Sequence, residues 1–201
     1  AFDTLSGEIH ASARTALIED SRFVREAALT RLQAPDAKGG AVWGRAFGSW
    51  GHIGGDGNAA RLDRSTGGLF LGVEGAVSET VHLGVLAGYS RTDFDVRNRA
   101  SSGDSDNYHL GVYAGGQWGP LAIGAGLAHS WHSLDTIRSV AFPGISDTLR
   151  GSYKAGTIQL FGEIDYDIAV GAAATVKPFA NLTYVNLHTK SFTEQGGAAA
   201  L

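Results

Sequence analysis

Three side chains near the middle of the chain, His129, His132 and Asp135, are of the types that ligate zinc or form an acid–base pair. Imidazole nitrogens bind the metal, and a histidine beside a carboxylate serves as a base. Their spacing is what matters. The surrounding residues alternate in the manner of a strand, and on a strand residues three apart point to opposite faces. The geometry therefore argues against a shared site. The stretch "GGDGN" (54–58) has the composition of a glycine-aspartate calcium repeat, but one copy cannot stack into a solenoid and reads as a loop. No G-x-S-x-G, H-E-x-x-H or phosphate loop occurs. With no cysteine there is no disulfide, thiolate metal site or cysteine nucleophile. No catalytic residue, metal or cofactor is expected.

The remaining candidates are charges whose work is pairing. Glu74, Glu163 and Asp165, together with Arg45 and Lys177, fall on one face of the elements that carry them, and Arg14, Arg22 and Arg25 lie in a separate N-terminal segment. Charges in a narrow, low-dielectric space are costly unless matched, so the two sets are candidate partners; the alternative is a set of charges in a wet lumen without fixed partners.

Two kinds of element position them. Residues 2–33 place Phe2, Leu5, Ile9, Ala13, Ala16, Leu17, Phe23, Val24, Ala28 and Leu32 at spacings of three and four. This predicts a helix, broken near Asp20-Ser21 and closed by Pro35 and Gly39-Gly40. Its opposite face, with Glu8, Arg14, Arg22, Arg25, Glu26 and Arg31, is too polar for a lipid span. From Ala41 the period becomes two. Strands are expected at 41–50, 66–77, 81–91, 107–118, 121–133, 153–169 and 175–188, with 198–201 starting an eighth. Connections at 78–80, 119–120 and 171–174 are short; those at 51–65, 92–106 and 134–152 are long and polar. Asp135 and Arg138 fall where the fifth strand enters its loop and are available for a local pair.

In "NYHLGVYAGGQWGPLAIGAGLAHSW" (107–131) one face of each strand is large and apolar, and the other is glycine, alanine, serine or histidine. Charged residues make up 18% against the roughly 25% of soluble domains, and 29 glycines exceed the usual share. A greasy face opposite a small, weakly polar one suits strands between lipid and a lumen. Aromatics near strand ends, among them Trp50, Tyr89, Tyr108, Trp118, Trp131 and Tyr166, fit interfacial girdles. A net charge of −4 without a basic stripe disfavours nucleic acid as a partner. No apolar run reaches the length of a membrane-spanning helix. The absence of methionine suggests a piece of a longer precursor.

A polar helix followed by "AVWGRAFGSWG", "GLFLGVEGAV", "HLGVLAGYSRTDF", "YHLGVYAG", "LDTIR", "GSYKAGTIQLFGEIDYDI" and "VKPFANLTYVNLHTKSFTEQGG", in that order, resembles the C-terminal translocator barrel of bacterial autotransporters, the type V secretion proteins. The resemblance covers essentially the whole chain. It implies an all-β fold, an antiparallel transmembrane β-barrel of twelve strands of which about seven to eight are present here, preceded by a linker α-helix. It divides the chain into 1–40, the helix inside the lumen, and 41–201, a partial barrel. It implies location in the bacterial outer membrane, a covalently linked N-terminal passenger that the barrel helps export and then anchors, and contact with outer-membrane lipid. Periplasmic chaperones and the outer-membrane assembly machinery are implied as assembly partners. Some family members cut their linker helix at an asparagine; residues 1–33 contain none, so no self-cleavage is expected here. The competing readings are a passive outer-membrane channel or adhesin barrel, an outer-membrane hydrolase and a soluble β-sandwich. For the hydrolase, His52, Asp93, Asp104 and Asp106 would have to converge at the strand ends.

Overall fold

The computed structural model describes residues 7–33, 40–55, 60–97, 99–142, 145–171 and 174–201. Pro35, Gly39, the start of the expected helix at 2–6 and most of "GGDGN" lie outside them.

Two helices, α1 (Glu8–Asp20) and α2 (Arg22–Leu32), follow one another through Ser21. The Ser21 hydroxyl donates to the Ile18 carbonyl at 2.7 Å, and such back-bonding bends a helix where a serine competes for the main chain. The break thus falls at the expected place. No helix among the described residues is long and apolar enough to cross a membrane.

Seven strands form one antiparallel sheet in chain order: β1 (Ala41–Ile53), β2 (Leu62–Ala76), β3 (Val81–Val96), β4 (Ser101–Trp118), β5 (Leu121–Phe142), β6 (Ile145–Tyr166) and, after a small hairpin of β7 (Ile168–Val170) and β8 (Ala174–Val176), β9 (Phe179–Thr189). The outer face carries Leu69, Leu71, Val85, Leu110, Val112, Leu127, Ile158 and Leu160, all exposed. Tyr89, Tyr108 and Trp131 are direct cross-strand neighbours and form one aromatic row on that face. Trp118 and Tyr166 both pair with Leu121 at the other end. Tyr108 and Trp118 are ten positions apart. At about 3.3 Å per residue and a tilt near 40°, that separation spans roughly 25 Å, the height of an outer-membrane apolar band.

Several strands outrun their expected limits. β3 continues to Val96, β4 begins at Ser101, and β5 and β6 fill most of the connection expected at 134–152. Beyond the aromatic row the outer face meets water, so Asp93, Asp95, Ser102, Asp104, Ser133 and Asp135 gave the sequence a loop-like polarity. Alternation persists on the inner face through the buried Phe94, Val96, Leu134, Val140 and Leu149. The expected strand 175–188 divides into β8 and β9 around Lys177-Pro178, where proline removes a ladder donor. Residues 198–201 form no strand; a turn places Leu201 O against Glu194 N at 2.9 Å.

On the inner face both helices lie against the sheet. α1 buries Ile9, Ala13, Ala16 and Leu17 against Leu62, Phe94, Val96, Leu134 and Tyr153 at the projecting end, where β3 to β6 run past the aromatic row. α2 buries Val24, Ala27 and Ala28 against Trp43, Phe70, Leu86, Tyr113 and Phe161 at the flush end, that of the short turns at 78–80 and 119–120. The large rings fit because their direct cross-strand partners are glycines. A Cβ on Gly84 would stand 2.3 Å from the Tyr113 ring, and one on Gly126 would stand 2.4 Å from Phe161.

Candidate functional site

Between the two apolar clusters the inner wall is polar. Thr66, Ser90, Thr92, Ser105, Asn107, His109, Ser130, His132 and Thr157 are buried there. His109 has Ser90 Oγ at 2.9 Å and Ser130 Oγ at 2.8 Å; His132 has Asn107 Oδ1 at 2.7 Å and Thr157 Oγ1 at 2.8 Å. Both rings are thus saturated by neutral partners. The helix meets this belt at its bend, where Thr92 Oγ1 donates to Asp20 Oδ2 at 2.8 Å and Gln159 Nε2 donates to the Ser21 carbonyl at 3.0 Å. Arg64 reaches Asp20 at 2.9 Å and the Ala16 carbonyl at 3.2 Å.

Each inner-face charge singled out in the sequence has a definite place. Glu74 is buried and takes the guanidinium of Arg31, with Arg31 Nε at 3.3 Å; the Tyr113 hydroxyl donates to it at 2.8 Å and itself accepts from Trp43 Nε1 at 2.8 Å. Glu163 accepts from Gln33 Nε2. Arg45 donates to the Glu26 carbonyl at 3.0 Å and to Thr30 Oγ1 at 3.1 Å. Lys177 lies 3.2 Å from both Asp165 and Asp167, whose hydrogen bonds hold its ammonium above the ordinary lysine value. On the helix, Arg25 Nη1 donates to Ser21 Oγ at 3.2 Å, and the Arg22 guanidinium sits 4.9 Å from the Phe23 ring centroid. Arg14, Arg22 and Arg25 enter no ion pair among the described residues.

Pairs that the sequence did not single out hold the helix elsewhere. Arg99 Nε donates to Glu8 at 2.7 Å, and His10 Nε2 lies 2.9 Å from Glu194. Glu194 also takes the guanidinium of Arg138, and both side chains are 1% exposed. Burial pushes the Glu194 carboxyl up, but Arg138 and His10 outweigh it and hold the group below the usual glutamate value. Arg138 therefore turns inward, whereas Asp135, three positions earlier, faces out, so the two form no local pair. His132 lies in the buried belt and His129 on the other face, with its ring 4.5 Å from Trp131. Among the described residues no group of three or more His, Cys, Asp or Glu is arranged to hold a metal ion. Arg31 was visible as a polar position on an amphipathic segment, whereas Asp20 was legible only as the place of the helix break. Which wall residue each meets depends on the height of the helix, which no local pattern encodes.

A sheet apolar toward the outside and polar toward a charged helix is the arrangement of a transmembrane β-barrel with an occupied lumen. Residues 42–201 match the family model of the autotransporter beta-domain, and the chain belongs to that family. Two Serratia marcescens proteins, each named extracellular serine protease, are 40% and 39% identical over 206 residues. The alignments cover 98% of this chain and 20% of each relative, so the chain spans about a fifth of the curated relatives it matches. The fold is that of the translocator domain of autotransporter NalP from Neisseria meningitidis, with a TM-score of 0.74 at 16% identity, covering 94% of this chain and 64% of that one. The chain is thus part of an autotransporter translocator barrel of the outer membrane. The passive-channel and adhesin reading is not favoured.

Proposed function

We propose that residues 1–40 form the tether between passenger and barrel, and that 41–201 move the passenger outward and then hold it at the cell surface without catalysing a covalent step. The observation that carries this is the course of the helix. Glu8 meets Arg99 at the projecting end, and Arg31 meets Glu74 at the flush end, next to the start of β1. Its 25 residues, 8–32, reach about 37 Å, more than the apolar band. Short turns mark the periplasmic side of such barrels and long extensions the outside. The chain before Glu8 therefore belongs outside the cell.

In this reading Glu74, Glu163 and Arg45 grip the lower half of the tether, and Asp165 with Lys177 borders the periplasmic mouth. The apolar band would aggregate if left in the aqueous periplasm, which favours escort by chaperones and insertion by the assembly machinery. The relatives' names favour a secreted serine protease as passenger, checked by activity in the medium that a serine-directed inhibitor abolishes. The translocation reading itself is tested with an epitope placed immediately upstream of residue 1 in the full-length chain. Intact cells should stain; staining only after the outer membrane is opened would overturn it.

A further inference from the structure

The segment after β9 makes contacts that a surface connection has no need of. Its start is tied to β6 by Lys190 N donating to the Lys154 carbonyl at 2.9 Å, and Gln195 exchanges two main-chain hydrogen bonds with Arg150, at 2.8 and 2.9 Å. Between these ties the chain alternates. Residues 191, 193 and 195 are exposed, while Phe192 and Glu194 turn inward. The Phe192 ring stacks on Tyr153 with centroids 4.1 Å apart and meets the His10 ring edge-on at 4.7 Å. Glu194 is fixed by Arg138 from the wall, which reaches both carboxylate oxygens with Nε 3.3 Å from Oε1, and that same Oε1 faces His10 Nε2, 2.9 Å away. The carboxylate accepts there, so Nε2 carries the proton.

We propose that residues 190–195 are a clasp closing on the first turn of the helix, with Glu194 the positioning residue that fixes His10 and so sets where the exported chain comes to rest. The proposal rests on the tether reading above. A shift of the helix by one turn, about 5.4 Å, would carry His10 out of reach of Glu194. A carboxylate buried against an arginine is a poor site for anything but a donor of suitable shape, and the aromatic pair admits a flat ring. The clasp thus reads one residue of the tether at one height, rather than merely covering the mouth.

The test uses the full-length chain in the outer membrane, with any cysteine outside these residues replaced by serine. Ala13→Cys reports the upper half of the helix and Ala28→Cys the lower; both native alanines are fully buried. A membrane-impermeant maleimide is applied to intact cells. His10→Leu, which leaves Arg138 and Glu194 paired, should speed labelling at Ala13→Cys by at least about tenfold and leave Ala28→Cys unchanged. Glu194→Gln should do the same, and the double variant should label no faster than the faster single one. Equal acceleration at both cysteines, meaning general loosening, or none at Ala13→Cys, would overturn the clasp. If Glu194→Gln fails to assemble, judged by heat-modifiable migration, His10→Leu alone decides. Failure of the unsubstituted passenger to reach the surface would instead refute the tether reading.

Discussion

Placing an arginine at successive outward positions of β6 should trace the membrane. Trp131 pairs with Gly156, and Tyr166 lies near the other aromatic level, so the band along β6 runs from 156 to 166. At roughly 2.5 Å of height per residue, Leu160 lies about 10 Å inside the outer level, Ile158 about 5 Å inside it, and Ile164 about 5 Å from the inner one. Ser152 stands about 10 Å outside, beyond Lys154, a cation the native chain already carries on the outward face. Leu160→Arg should therefore cost about 2–4 kcal/mol, Ile158→Arg and Ile164→Arg about 1–2, and Ser152→Arg close to zero. A cost of 3 kcal/mol is over a hundredfold in the folding equilibrium, well within reach of measurement. The assay is denaturant unfolding of the full-length chain from phospholipid vesicles, followed by tryptophan fluorescence. A flat profile along the strand, or a cost at Ser152 equal to that at Leu160, would refute the lipid-facing assignment.

Other outcomes follow from the inner face. Glu74→Ala leaves the Arg31 guanidinium and the Tyr113 hydroxyl without their acceptor and should destabilise by about 3 kcal/mol in the same assay; adding Arg31→Ala should recover part of the loss. Gly84→Val should disrupt assembly, since even a Cβ there meets the Tyr113 ring at 2.3 Å, whereas Gly51→Ala, with nothing within 4 Å, should be neutral; heat-modifiable migration separates them. The Glu194 carboxyl is held below its ordinary value of 4.5, so its contribution is fully present above that pH and is lost as the pH falls through the lower folded value. The difference in labelling of Ala13→Cys between native and Glu194→Gln chains should shrink as the pH falls below about 4.5.

The barrel wall was legible because lipid on one side and a packed helix on the other impose period-two contrast at every step, as in Leu69, Leu71 and Val73 against Phe70 and Gly72. The short turns at 78–80 and 119–120 were legible for the same reason. The reach of the strands was not. Above the aromatic row both neighbours of an outward residue are water, so Asp93 and Asp104 look like loop residues although their backbones are fully paired. The inner carboxylates were identifiable as charges on the small-residue face. Their partners were not, because pairing Glu74 with Arg31 rather than Arg25 depends on how deep the helix sits. Glu194 and His10, 184 positions apart, carry no local mark of their meeting.

Two cysteines decide which end of the sheet faces outward. In the full-length chain, Gly54→Cys lies at the projecting end of β1 and Glu79→Cys in the turn between β2 and β3, both exposed. An impermeant maleimide on intact cells should label Gly54→Cys, and should label Glu79→Cys only once the outer membrane is permeabilised. The reverse pattern, or labelling of both in intact cells, would contradict a translocator whose tether emerges at the cell surface.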